Sequence, residues 1–404
     1  MPLDHYVTLG PSGLRVSPFA LGAMTFGEDA GGAGCSVEES EKILDVYADH
    51  GGNFVDTANF YTNGHSEKIL GDWLAAAPGR RDRVVVASKF FSNLFPGNPN
   101  AGGAGRSAII AQLEESLRRL RTDHIDLYWL HNWDRNTPVE ETMRALDDLV
   151  RAGKIRYIGF SNVPAWVTAQ AQTLALLRGW TPLIALQVEY SLLARSVEGE
   201  VAPLAQDRGL ALVPWSPLKN GFLSGKYRRS EAVGDSARTA FVGQPSEREY
   251  DVIEAVAGIA ADLGTTSAAV ALAWLRTRPG TVVPILGARR LGHLEQNLAG
   301  LDVGLSGEQV RTLDDLSRPD LDYPAAAAER RPLLSCGHAP SMNRQNGWPS
   351  GSRQTRTPSC GWNSATVAPD STAYATAASR SSTRMSRCAI ICCAPSAVGQ
   401  VGRT

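Results

Sequence analysis

Four side chains of different chemistry follow stretches of this sequence that are typical of β-strands. The stretch NFVDTANFYTNGHSEKILGDWL (residues 53–74) places a carboxylate, Asp56, at the end of a short apolar run and a phenol, Tyr61, in the loop that follows. Further on, Lys89 lies near the end of VVVASKF, and His131 ends IDLYWLH. Each residue alone has an ordinary structural explanation, such as a helix N-cap, a rim lysine, a core histidine or a loop anchor. Together, an acid, a phenol, an amine and an imidazole at strand ends indicate a shared site.

These four groups suit the transfer of a proton to an oxygen atom. A free phenol has a pKa of about 10, and a neighbouring ammonium lowers that pKa because it stabilises the phenolate. Asp56 can keep a buried Lys89 protonated, and Tyr61 then becomes a usable proton donor. His131 can hold a carbonyl oxygen or share the proton. Because the set offers no nucleophile and no metal-ligand cluster, the electrons for the carbon must come from a bound hydride carrier.

Eight apolar runs alternate with amphipathic helical patterns between residues 19 and 300. The runs are continuous, as expected for parallel strands that are buried on both faces. Eight such βα units predict a (β/α)8 TIM barrel, with an N-terminal β-hairpin over 6–17 as a cap on its bottom. A doubly wound sheet, the alternative, would need a Gly-rich phosphate turn, and the sequence contains no GxGxxG. The predicted strands are residues 19–26, 53–58, 84–90, 125–131, 155–162, 183–190, 210–217 and 281–287.

Helix signals between these runs fit the same arrangement. Pro138 and Gly153 stand at the start and just past the end of one helical pattern, the expected order for these residue types. Met143, Leu146 and Val150 form its apolar stripe. In RSAIIAQLEESLRRLRTD the residues on one face are Ile109, Leu113, Leu117 and Leu120.

The composition changes near residue 330. Residues 1–330 hold 40 of the 41 acidic and 32 of the 40 basic residues, whereas residues 331–404 hold eight arginines, one acid and 19 serines or threonines. Because hydrophobic periodicity ends there, we predict a barrel domain over 1–325 and a disordered tail over 331–404. The Arg/Ser bias without lysine is also typical of translation in a shifted reading frame, which the coding DNA would test. A basic arm for an acidic partner is the alternative.

Bulk features narrow the class of protein. The net charge of −1 and the 43% hydrophobic content of the 404 residues favour a globular protein and give no general case for binding nucleic acid or membranes. The N-terminal residues lack the pattern of a secretory signal, and no apolar run approaches the ~20 residues of a membrane span. We therefore expect a cytoplasmic protein. Cys35 stands alone before Cys336, which argues against a disulfide framework, and no CxxC pair with a matching partner suggests zinc.

Several motifs, in order and spacing, resemble the aldo-keto reductase family. They are FVDTANFYTNGHSEKILGDWL, VVVASKF, DLYWLH, GKIRYIGFSN, QVEYSLL, PWSPLKNGFLSGKY and PILGARRLGHLEQN, and the resemblance covers residues 5 to about 325. The sequence looks most like the bacterial branch that also resembles potassium-channel beta subunits. This resemblance implies a TIM barrel that reduces aldehydes or ketones with NADPH. It implies that Tyr61 is the proton donor, that Asp56 and Lys89 tune it, and that His131 orients the carbonyl.

The resemblance also implies a dinucleotide site along the strand ends. Ser161, Asn162 and Gln187 match positions that hold the nicotinamide carboxamide, and Trp215 matches the aromatic residue that stacks on the ring. An arginine at position 289 favours NADPH over NADH, because a guanidinium binds a 2′-phosphate bidentately. The remaining implied contacts are Ser216, Leu218 and Asn220 along the pyrophosphate, Lys226 and Arg238 in the long segment 218–247, and Gly287, Arg289, Gln296 and Asn297 around the adenosine phosphate.

Two other functions stay open from the sequence. A cofactor-binding regulatory subunit would hold NADPH but turn over slowly. A barrel glycosidase would use two acids, Asp56 and Glu189, about 5–10 Å apart, but it would leave Lys89, Trp215 and Arg289 unexplained. In the resembled family the residues after the last barrel helix help to close the substrate pocket. The atypical sequence beyond residue 330 departs from that pattern, so we expect an altered or missing lid.

Overall fold

An eight-stranded parallel sheet forms the centre of the protein. The computed structural model describes residues 2–28, 34–230 and 243–330, which belong to one compact unit; the predicted tail over 331–404 lies outside the described residues. The first two strands, β1 (Val7–Thr8) and β2 (Arg15–Val16), form a separate hairpin. The barrel strands are β3 (Ala20–Gly22), β4 (Phe54–Asp56), β5 (Val85–Phe90), β6 (Ile125–Leu130), β7 (Ile155–Ser161), β8 (Leu183–Glu189), β9 (Ala211–Trp215) and β10 (Ile285–Gly287).

The strands pair in chain order from β3 to β9, and β10 pairs with β3. The barrel closes between β9 and the residues just before β10, where Leu212 N donates to Thr281 O and Val283 N donates to Leu212 O, each at 2.9 Å. The sequence predicts one strand over 281–287, but the structure divides it. Pro284, which has no N–H to donate, lies where pairing changes from β9 to β3.

Side chains fill the barrel interior, and the hairpin closes its bottom. Leu9 and Val16 of the hairpin are fully buried in the same apolar cluster as Trp129, which projects from β6. Gly10 has φ +58°, and a Cβ there would lie 2.0 Å from the carbonyl oxygen of Ile184 near the start of β8. Only glycine fits this close approach in a left-handed conformation. The predicted TIM barrel with an N-terminal hairpin is confirmed.

Helices surround the barrel and pack their apolar faces on the outside of the strands. Met143 and Leu146 are buried as predicted, while Val150 is only partly buried. Pro138 is the N-cap of its helix, and Gly153 follows the C-cap with φ +74°. The helices are α1 (Val37–Asp49), α2 (His65–Ala75), α3 (Arg106–Leu120), α4 (Val139–Arg151), α5 (Ala165–Arg178), α6 (Val201–Arg208), α7 (Glu247–Asp262), α8 (Ser267–Arg276), α9 (Leu291–Leu298), α10 (Gly307–Leu316) and α11 (Ala325–Arg330).

The predicted apolar face of α3 is buried as a whole, at Ile109, Leu113, Leu117 and Leu120.

Within the described ranges no single helix is both long enough and apolar enough to cross a membrane. Helices α7 and α8 meet these two conditions only when they are taken together, and a bend of 99° separates them.

Candidate active site

The four residues predicted to be catalytic lie at one end of the barrel. Asp56 is the last residue of β4, Lys89 is the penultimate residue of β5, and His131 directly follows β6. Tyr61 begins the short helical turn Tyr61–Gly64 between β4 and α2. The C-terminal ends of parallel barrel strands meet on one rim, and this rim therefore brings an acid, an amine, an imidazole and a phenol together.

The Lys89 ammonium is the centre of this cluster. It is fully buried and donates hydrogen bonds to Asp56 Oδ2, to Thr57 O at 2.8 Å and to the Tyr61 hydroxyl oxygen at 3.1 Å. Asp56 is 2% exposed and also accepts a hydrogen bond of 2.9 Å from Gln187 Nε2. Burial alone lowers the pKa of Lys89, but the Asp56 carboxylate and the Tyr61 oxygen outweigh it, and the pKa is raised. The ammonium therefore stays charged beside the phenol.

His131 supplies an imidazole that is uncharged at neutral pH. Burial, and next the charge of Lys89, lower the pKa of His131 well below its usual range. Its ring meets Tyr61 edge-on, with centroids 6.0 Å apart, and lies 5.2 Å from the ring of Phe60. Its Nδ1 is buried without a hydrogen-bond partner among the described residues, so packing holds the ring. A neutral imidazole can hydrogen-bond a carbonyl oxygen, but it is a poor source of the proton.

An unusual backbone conformation carries the chain away from Tyr61. Thr62, Asn63 and Gly64 have φ values of +45°, +52° and +85° in succession. Left-handed conformations are uncommon outside glycine, and side-chain contacts hold this one in place. Thr62 Oγ1 donates to the carbonyl oxygen of Phe26 at 2.9 Å. The loop that presents the phenol is thus tied to the segment after β3.

A buried ion pair behind this loop was not predicted from the sequence. Glu67 on α2 accepts hydrogen bonds from Arg119 Nε at 2.6 Å and from Ser88 Oγ at 2.5 Å. All three residues are buried, and a Cβ on Gly64 would lie 2.9 Å from Arg119 Cδ, so the pair packs against the turn. The sequence does contain a sign of this pair. Glu67 lies three positions before Leu70, so the spacing puts a charged side chain on the apolar face of the helix.

Asn162 joins several residues predicted to bind the nicotinamide. It has φ +54°, and its amide nitrogen donates to His131 O at 3.0 Å and to Ser161 Oγ at 3.1 Å. Its Oδ1 accepts a hydrogen bond of 3.1 Å from Trp215 Nε1. Since Gln187 is hydrogen-bonded to Asp56, the four residues predicted to contact the nicotinamide lie on the same rim as the predicted catalytic residues. They are Ser161, Asn162, Gln187 and Trp215.

The residues predicted to contact the pyrophosphate form one tight loop after β9. Ser216 and Asn220 have φ values of +52° and +55°, and Ser216 Oγ donates to Asn220 Oδ1 at 3.2 Å. Leu218 is partly buried between them. Lys226 lies further along, exposed, and makes no hydrogen bond or ion pair with the other site residues that the structure describes. Arg238 lies outside the described residues.

An open cleft of about 620 Å³ lies between the start of α1 and the start of α9. Glu39 Oε1 accepts a hydrogen bond of 2.7 Å from Leu291 N, the first residue of α9. Buried Asn297 donates to Gly287 O at 3.3 Å, whereas Gln296 beside it is exposed. The cleft is lined by Gly34, Cys35, Ser36, Glu39, Arg289, Arg290, Leu291 and Gly292. The predicted adenosine-phosphate residues therefore cluster around α9.

A parallel barrel with a buried lysine–carboxylate pair beside a tyrosine at its rim has the parts of a carbonyl-reducing enzyme. The profile of the Aldo/keto reductase family matches residues 18–318, and the chain belongs to this family. It is an oxidoreductase of small-molecule carbonyl compounds, in a family whose members use nicotinamide cofactors.

Relatives that are named as oxidoreductases agree with this assignment. The chain is 39% identical over 321 residues to the uncharacterized oxidoreductase YrpG of Bacillus subtilis, covering 77% of this chain and 95% of the relative. It is 36% identical over 332 residues to the aryl-alcohol dehydrogenase [NADP(+)] of Phanerodontia chrysosporium, covering 78% and 86%. It is 33% identical over 327 residues to the norsolorinic acid reductase of Aspergillus flavus, covering 79% and 82%.

Proposed function

We propose that this protein reduces aldehydes or ketones to alcohols with NADPH, and that Tyr61 donates the proton to the carbonyl oxygen. The observation that carries the proposal is the hydrogen bond of 3.1 Å from the buried Lys89 ammonium to the Tyr61 hydroxyl oxygen. The same ammonium would stand beside the phenolate that Tyr61 becomes when it gives up its proton, and would stabilise it.

Each catalytic side chain has a separate task in this scheme. When bound, NADPH supplies the hydride that reaches the carbonyl carbon. Lys89 stabilises the phenolate that Tyr61 becomes, because a fixed charge acts strongly in a site that excludes water. Asp56 keeps the ammonium charged and in place. His131, neutral at pH 7, holds the carbonyl oxygen within reach of the phenol.

The residues along the rim fit a dinucleotide. Amide and hydroxyl groups of Ser161, Asn162 and Gln187 suit the carboxamide of the nicotinamide, and Trp215 suits its ring. For the adenosine phosphate, Arg289 lines the open cleft of about 620 Å³, and a guanidinium binds phosphate bidentately. The NADP(+) in the name of one relative supports the same preference.

Aromatic carbonyl compounds are the substrate class that we favour. Relatives named for aryl alcohols and for norsolorinic acid support this choice. The ring of Phe60 lies 5.2 Å from the ring of His131 and 5.1 Å from that of Tyr61. Such a position offers an edge or face contact to an aromatic ring attached to the carbonyl carbon.

Titration with NADPH and NADH, followed by steady-state oxidation of NADPH with aliphatic and aryl aldehydes, tests the proposal on the purified full chain. We expect tighter binding of NADPH than of NADH and higher kcat/KM for aryl aldehydes. Binding of NADPH without turnover on any aldehyde would favour the regulatory-subunit alternative. If neither dinucleotide binds, the proposed function is wrong.

A further inference from the structure

An ion pair ties the loop after β9 to the neighbouring strand. Lys219 Nζ donates to Glu189 Oε1 at 2.6 Å, and the two side chains are only 22% and 28% exposed. Glu189 is the last residue of β8 and lies opposite Trp215, the last residue of β9, in the parallel register. The pair therefore bridges two strand ends beside the predicted nicotinamide position. The roles proposed above for Asp56, Tyr61, Lys89 and His131 do not involve this ion pair.

The loop that this pair anchors has a strained backbone. Lys219, Asn220 and Gly221 have φ values of +46°, +55° and +98° in succession. A lysine rarely adopts the left-handed conformation, because its Cβ crowds the following carbonyl. Backbone hydrogen bonds also hold the loop: Lys219 N donates to Ser216 O at 2.8 Å, and Leu218 O accepts from Gly221 N at 3.0 Å and from Leu223 N at 3.2 Å. The Lys219 side chain adds a tie from the strained residue itself to a rigid strand.

We propose that Glu189 and Lys219 are positioning residues for the dinucleotide, and that their ion pair holds the loop 216–221 in the conformation that receives the pyrophosphate. The inference rests on the proposed function, since it concerns the same cofactor. In this arrangement the Lys219 charge acts on the loop through Glu189. A lysine that bound the phosphates directly would be hindered by the carboxylate, whereas a lysine that positions the loop requires it.

Removing either partner separates these two roles. Titrations of intrinsic tryptophan fluorescence give the Kd for NADPH of the full chain and of Lys219→Ala, Glu189→Gln and the double variant. We expect each single change to raise the Kd about three- to tenfold, and the double variant to be no weaker than the singles, because one interaction is lost in all three. Lys219→Arg keeps a positive charge opposite Glu189, so its Kd for NADPH should stay within about twofold of that of the original chain.

Steady-state kinetics and a control variant test whether the loss is confined to cofactor binding. We expect the loss to fall on the KM for NADPH, while kcat at saturating NADPH falls by less than about twofold, since the reacting groups are untouched. Lys154→Ala is the matched control, because Lys154 also forms a partly exposed ion pair, with Glu114, but precedes β7 at the other end of the barrel.

The outcomes that overturn the proposal are distinct. Tighter NADPH binding by Glu189→Gln would show that Lys219 contacts the phosphates itself, and an unchanged Kd in both single variants would show that the pair does nothing for the cofactor. Hydrogen exchange on the unliganded protein tests the loop apart from the cofactor. We expect faster exchange of the amides of residues 219–223 in both variants, and unchanged exchange would refute the positioning role even if no dinucleotide binds.

Discussion

Replacing Lys89 with methionine should destabilise the barrel as well as abolish turnover. The Lys89 ammonium is fully buried and donates hydrogen bonds to three acceptors, one of which is the charged Asp56 carboxylate. Methionine has a similar length and fills the space, so lost packing contributes little. What remains is a carboxylate, 2% exposed, with the amide of Gln187 as its other hydrogen-bond partner. An uncompensated buried charge of this kind costs about 3–5 kcal/mol.

A second substitution shows whether charge is the cause. Asp56→Asn alone leaves the ammonium without its counter-charge and should cost a similar amount, about 3–5 kcal/mol. In the double variant Lys89→Met/Asp56→Asn no buried charge remains. We therefore expect its loss of stability to be at least about 3 kcal/mol smaller than the sum of the two single losses.

Urea unfolding followed by circular dichroism measures these differences, and thermal midpoints should fall by about 2–4 °C for each kcal/mol lost. Lys68→Met is the matched control, because Lys68 is exposed on α2, and it should change stability by no more than about 0.5 kcal/mol. Additive losses in the double variant, or a Lys89→Met protein as stable as the control, would refute the role given to the buried pair.

Two further predictions concern pH and cofactor choice. The pKa of His131 is lowered in the folded protein. Below about pH 6.5 the imidazole therefore takes up a proton in the unfolded chain but not in the folded chain. The free energy of unfolding should then fall with falling pH, by up to about 1.4 kcal/mol per pH unit. Urea unfolding between pH 7 and pH 5 should show a shallower fall for His131→Asn, and an identical slope would contradict the lowered pKa. Arg289→Ala should raise the Kd for NADPH about 10- to 150-fold, the loss of a charge-assisted hydrogen bond, while the Kd for NADH stays within about twofold. Equal losses for both dinucleotides would remove Arg289 from the 2′-phosphate.

Sequence pattern predicted the barrel because burial on both faces leaves a continuous apolar run, and eight such runs were visible. The same reasoning located Asp56, Lys89 and His131, since strand ends in a parallel barrel share one rim. Their roles in catalysis and cofactor binding stay predictions, as does the tail over 331–404.

Other features depended on contacts between distant residues and could not be read from local pattern. The hydrogen bond from Gln187 to Asp56 spans 131 positions. The division of the last strand at Pro284 follows from barrel closure, which gives its two halves different neighbours. Thr62 and Lys219 adopt left-handed conformations although neither is a glycine, so their residue types did not predict these conformations.

Turnover and NADPH binding of Tyr61→Phe test the central claim most directly. The change removes one oxygen atom from the cluster and leaves the ring that packs against His131. If Tyr61 supplies the proton, the rate of carbonyl reduction should fall by about 10²–10⁴, while the Kd for NADPH stays within about twofold of the original protein. A phenylalanine variant that reduces aldehydes at nearly the original rate, or that loses NADPH binding together with turnover, would contradict the account.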